Sequence, residues 1–283
     1  SGSGVAREAS DIVLLSDDFG SIVNTIRWGR NVFSSIRKFL QFQFTCNVVT
    51  VLITIIGSVT NSRGEPPISP VGLLWVNLIM DTFAAIALAS DSPSPDLLRK
   101  TKPVSSSENV VTRVMMMHIF GQAAYQLLML LLVLFIGPAF FTVERYRRKH
   151  FTLVFNAHVM MTLFNFFNVR SVFQQQNVVS GLGRNYYFWA VLLFSGAVQG
   201  AIVTIGGSWT KTEPLGPLQW ASCLVLGAGT LLVGAFLRTI PTRGILLESK
   251  DIHDSPKDRA EWRMTLNRRP MAEKVRVAFR GNG

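Results

Sequence analysis

Only two cysteines occur among 283 residues, and charged side chains make up 16% of the chain, against about 25% in an ordinary soluble domain. So few cysteines exclude a disulfide scaffold. The low charge, beside 20 Phe residues and a hydrophobic fraction of 48%, excludes a disordered chain. Acidic residues are scarce as well: 17 Asp and Glu stand against 28 Lys and Arg, for a net charge of +11. A basic nucleic-acid binder is hydrophilic, whereas the mean hydropathy here is +0.31, so no nucleic-acid partner is expected. A secretory leader is missing too, because no apolar run with a cleavage site follows the basic residues of the first 38 positions. A chain both greasy and basic is explained when its apolar runs lie in lipid and its cations lie in loops.

Long apolar runs are what the chain has instead. Crossing a bilayer core of about 30 Å takes roughly 17–25 apolar residues. Six stretches qualify: 39–59, 71–90, 114–138, 151–168, 186–207 and 218–237. The first, second and fourth carry Asn, Gln, Thr and one Asp, and for these three the competing reading is buried helices of a soluble core. Six such runs in so short a chain would leave that core no polar surface, so an all-α membrane protein with six transmembrane helices is expected. Lys and Arg set its orientation. With six crossings both termini share one side, which holds 22 of them, while the opposite loops hold 6. The positive-inside rule makes the termini cytosolic, although the cluster Arg145, Arg147, Arg148 and Lys149 runs against it.

Asp81 lies near the middle of the second run, in WVNLIMDTFAAIALAS. A carboxylate at the centre of a membrane helix costs about 2.5–3.5 kcal/mol on insertion scales, so it commonly marks a site. Asn77 precedes it by four residues, on the same face of a regular helix. Hard cations such as calcium take about 6–8 oxygens from carboxylates, amides and backbone carbonyls. Asn47 and Thr50 of the first run stand at a depth that could face the pair. Asp81 could instead be protonated in an interhelical hydrogen bond. Asn47 fits a ligand or a packing role equally, and Thr50 fits packing or a bond to its own backbone. His118 and His158 read as core or interfacial residues, Met115, Met116 and Met117 as lipid contacts, and Cys46 and Cys223 as unpaired residues inside spans.

Several segments together resemble the C-terminal part of P-type calcium pumps of the plasma-membrane, calmodulin-regulated class. GSGVAREASDIVLLSDDFGSIV resembles the end of the phosphorylation domain. WGRNVFSSIRKFLQFQFTCNVV resembles the stalk and start of the fifth transmembrane helix, and WVNLIMDTFAAIALA the sixth, ion-binding helix. MMMHIFGQAAYQL, FNAHVMMTLFNFFNVR and the stretch from Gly206-Gly207 to Gln219-Trp220 resemble the seventh, eighth and ninth-to-tenth. The resemblance implies the fifth to tenth helices of a P-type ATPase: 1–22 the end of the phosphorylation domain, 23–38 the stalk, 39–238 six membrane helices, and 239–283 a cytosolic regulatory tail. It implies Asn77 and Asp81 as calcium ligands, with Asn47 as a secondary one. Thr50 and Met80 stand where two-site pumps carry oxygen donors, which implies a single calcium per cycle. Phe166 departs from the family, which has Glu there, and Gly4 replaces an Asp.

The three ligands fall short of about six oxygens. In the family the rest come from a broken fourth helix, which would lie upstream of Ser1. The phosphorylation loop DKTGT, the dephosphorylation loop TGES and the magnesium motif GDGxND are also absent from these residues. The expectation is therefore half of a calcium site in a chain that cannot alone turn over ATP, with ATP and magnesium bound on an upstream half of the pump. The alternative is a non-catalytic truncated membrane protein that binds calmodulin or pairs with a complete pump.

Residues 262–280, WRMTLNRRPMAEKVRVAFR, hold six Lys or Arg and a single acid. Trp262, Leu266, Val275 and Phe279 punctuate the basic run, which includes Arg268 and Arg269. Such a stretch suits a calmodulin groove, an anionic lipid surface or a solvated tail. It resembles the family's calmodulin-binding autoinhibitory segment, which implies calmodulin as a partner. Pro270 departs from that pattern, which leaves either a kinked helix or calmodulin holding mainly one half of the segment.

Overall fold

A computed structural model of the chain describes residues 4–10, 13, 19–90, 93, 110–170 and 185–240. Every regular element among them is helical. After the short α1 (Gly4–Glu8), α2 runs unbroken over Phe19–Thr60. Its 42 residues reach about 60 Å at 1.5 Å per residue, twice a bilayer core, so the more polar residues 19–38 and the first apolar run form one rod. The second crossing comprises α3 (Pro70–Leu74), a π-helical turn (Trp75–Met80) and α4 (Asp81–Ala89). Then follow α5 (Arg113–Phe135), the short α6 (Gly137–Phe140), α7 (Arg148–Arg170), α8 (Tyr186–Ile205), the short α9 (Gly207–Thr210) and α10 (Pro217–Thr239). Six helical segments are long and apolar enough to cross a membrane, as the apolar runs imply.

The helix starts carry local signals. Ser69 caps α3 by accepting the Gly72 N–H at 3.1 Å, with Pro70 in the first turn, where its missing N–H costs nothing. Thr112 caps α5 through the Met115 amide, and Asn185 caps α8 through the Phe188 amide. Asn185 also donates to Ser90 Oγ at 3.1 Å, tying the end of the second crossing to the start of the fifth.

At the centre stands α7, which packs against α2, α5, α8 and α10. Its apolar stretch is 89% buried, whereas the other five crossings are 22–44% buried. It is also the least apolar, with a mean hydropathy of 1.2. Several of its polar side chains meet partners on the surrounding helices. Gln199 of α8 donates to Asn156 at 3.1 Å, and Asn168 donates to the Thr230 carbonyl of α10 at 2.7 Å. Close approach of α10 depends on glycine: a β-carbon at Gly227 would lie 3.2 Å from the Met160 carbonyl, and one at Gly234 would overlap the Asn168 side chain. Small residues at such crossings are the usual means of bringing membrane helices together.

Two expectations change, and one departure from the resembling family gains a partner. Met115 is a core residue with no exposed surface, and among its neighbours Met116 alone is exposed. Thr50 bonds His158 of α7 at 3.0 Å, not its own backbone. Phe166, where the resembling family has Glu, stacks on Phe42 of α2 with ring centroids 4.4 Å apart and planes inclined by 20°. Both rings are fully buried, so this position joins α2 to α7 by apolar packing.

Candidate cation site at the interrupted second crossing

Asp81 opens α4 immediately after the π-turn. Its backbone N–H bonds the carbonyls of Val76 and Leu78, passing over that of Asn77. A regular helix would bond Asn77, four residues back. Exposure nonetheless divides the pair that helical spacing places on one face. Asp81 is 4% exposed, whereas Asn77, Leu78 and Ile79 form an exposed run between the buried Val76 and Met80. Single π-turns inside α-helices occur frequently at functional sites, because they re-aim side chains and loosen the backbone ladder.

Neither carboxylate oxygen of Asp81 has a hydrogen-bond partner. Burying an ionised carboxylate without partners is costly, and a cation or a proton at this position would relieve that cost. The Gln43 amide of α2 approaches it at the outer edge of hydrogen-bond range, and Cys46 lies within reach of its charge. Asn47, half-buried one helical step further, receives a long hydrogen bond from Gln43 Nε2 at 3.4 Å. Gln43, Cys46, Asn47 and Thr50 follow the i, i+3, i+4, i+7 spacing of one helix side. The structure thus brings α2 beside Asp81, while Asn77 stands on an open surface.

The oxygens offered by Asp81, Asn77 and Asn47 are fewer than a hard cation takes. Among the described residues no cluster of three or more His, Cys, Asp and Glu could hold a metal. Sequence reasoning missed the π-turn and the His158 partner of Thr50. The first has no periodicity signal, and the second spans 108 positions. The tail residues Trp262, Leu266, Arg268, Arg269, Val275 and Phe279 lie outside the described residues.

Residues 65–240 match the family described as cation transporting ATPase, C-terminus. The chain belongs to this family. Its match covers five of the six crossings, the interrupted one included. Over 250 residues, or 86% of its length, the chain is 44% identical to plasma membrane calcium-transporting ATPase mca-1 of Caenorhabditis elegans. Over 265 residues, or 91% of its length, it is 42% identical to human plasma membrane calcium-transporting ATPase 4 and 41% identical to human plasma membrane calcium-transporting ATPase 3. It spans about a fifth of the length of these curated relatives, 20–22%. Similarity of this extent is consistent with the C-terminal membrane part of a plasma membrane calcium ATPase.

Proposed function

We propose that this chain is the membrane part of an ATP-driven pump that exports calcium across the plasma membrane, and that Asp81 is its principal calcium ligand. The observation that carries the reading is the buried, unpartnered carboxylate directly after the π-turn. Asn77 and Asn47 serve beside it, making half of a single site. The exposed face bearing Asn77 is where further segments of the pump complete the oxygen set. An amide facing lipid has no hydrogen-bond partner there, so protein is its natural cover.

ATP, with magnesium, supplies the phosphoryl transfer on a region beyond these residues. The part played here is mechanical and electrostatic. The stalk end of α2 receives the state of the phosphorylated domain, and the continuous 42-residue helix carries it to Gln43, Cys46 and Asn47. Transport then requires the site to bind calcium tightly in one state and weakly in the other, since only differential affinity lets an ion and a conformation drive each other. A proton on Asp81 after release would spare the bundle a bare buried charge.

The excess of cations, 22 against 6, supports cytosolic termini. The basic segment 262–280 serves as a calmodulin-binding, autoinhibitory tail that also meets acidic lipid. A peptide covering 259–283 should bind calcium-loaded calmodulin and shift Trp262 fluorescence, and a flat titration rejects the tail assignment. For the ion site, Asp81→Asn in the full-length protein should abolish calcium-dependent phosphorylation from ATP. Phosphoenzyme at the wild-type level would overturn the assignment.

A further inference from the structure

The bundle holds a second buried polar cluster, one turn along α2 from the candidate ligands. Thr50 Oγ1 lies 3.0 Å from His158 Nε2, and Cys46 Sγ lies 4.0 Å from the same hydroxyl. On α7, Thr162 donates to the His158 carbonyl at 2.9 Å. Thr50, Cys46 and Thr162 are each at most 4% exposed, and His158 has no exposed surface at all. His158 Nδ1 has no hydrogen-bond partner, so the bond to Thr50 orients the ring.

This bond sits on the side of α2 that faces Asp81. Gln43 and Cys46 are within electrostatic reach of Asp81, and Asn47 and Thr50 continue the same stripe. Lipid gives no hydrophobic drive that holds one membrane helix against another, so interhelical hydrogen bonds and close packing fix a helix's rotation. The stacked pair Phe42 and Phe166 fixes α2 against α7 two turns nearer the stalk, but stacked rings tolerate sliding. The Thr50–His158 bond is directional, and it lies one turn beyond Asn47.

We infer that His158 is a positioning residue for the cation site: through Thr50 it holds α2 in the rotation that presents Asn47 toward Asp81. This rests on the calcium-site reading above. His158 touches no cation. It acts by limiting how far α2 turns, and so sets how tightly the site binds its ion.

The test measures calcium-dependent phosphorylation of the full-length protein in membrane vesicles, recording both the half-saturating calcium concentration and the maximal level. His158→Phe keeps a ring and removes both nitrogens. Thr50→Val keeps the shape and removes the hydroxyl. Each should raise half-saturating calcium by about three- to tenfold, the range that single interhelical hydrogen bonds in membranes support, with the maximal level nearly unchanged. The double variant should shift no further than either single one, and His158→Gln, which keeps a side-chain donor, should recover part of the affinity. Unchanged affinity, additive shifts, or a fall in maximal level at constant half-saturating calcium each overturn the inference. If His158→Phe fails to fold, Thr50→Val decides alone. Asp81→Asn measured in parallel separates the two levels. Normal phosphorylation there removes the site reading itself. Its loss, with wild-type affinity in the Thr50 and His158 variants, removes this inference only.

Discussion

Helices α7 and α8 are alike in length and differ in almost everything else. α7 has a mean hydropathy of 1.2 and is 89% buried, while α8 has 1.9 and is 22% buried. In a water-soluble protein the greasier helix would be the central one. Here lipid is the solvent, so the helix richest in Asn, His and Thr goes to the middle, where neighbouring helices partner several of its polar groups. The same rule accounts for Asp81, buried on the crossing that turns its carboxylate toward α2. It also makes Asn77 conspicuous as an amide left on an open face.

The sharpest way to break the comparison is to deny α7 its close neighbour. Gly234→Leu on α10 collides with Asn168 of α7. Overpacking of this kind costs about 1–3 kcal/mol and occasionally more, so the detergent-solubilised full-length protein should lose thermal stability or fail to accumulate as a monodisperse species. A smaller effect is expected from Asn156→Leu, which strands the Gln199 amide. Interhelical hydrogen bonds in membranes average about 0.6 kcal/mol with a maximum near 1.7, so the melting temperature should fall measurably without loss of the fold. Least of all should change with Leu193→Ala on α8, because that side chain is 68% exposed and exchanges contacts with lipid. If Leu193→Ala destabilises as much as Asn156→Leu, α8 is not the lipid-facing helix and the contrast fails.

Much of this arrangement is legible in the sequence, because apolar run length is a direct physical requirement for crossing a bilayer. All six runs became helices, with ends moved by a few residues where a cap decided the start, as at Thr112 before α5 and Ser69 before α3. Asp81 announced itself as the acid inside a span. What could not be read was anything that depends on two distant segments meeting. The partner of Thr50 lies 108 positions away, and the stacking of Phe166 on Phe42 turns a missing carboxylate into a packing contact. The π-turn was illegible for a different reason. WVNLIM has the composition of any membrane helix, and nothing in its spacing marks the wider turn. Exposure, which helical spacing does not report, is what sets Asn77 apart from Asp81.

Calcium binding at the buried carboxylate of Asp81 is the central point to test. Equilibrium binding of radioactive calcium to the purified full-length protein addresses this without relying on turnover. Wild type should bind one calcium per molecule, Asn77→Ala should bind it more weakly, and Asp81→Asn should bind none over the concentrations that saturate wild type. Calcium binding by Asp81→Asn with wild-type affinity and stoichiometry would contradict the account.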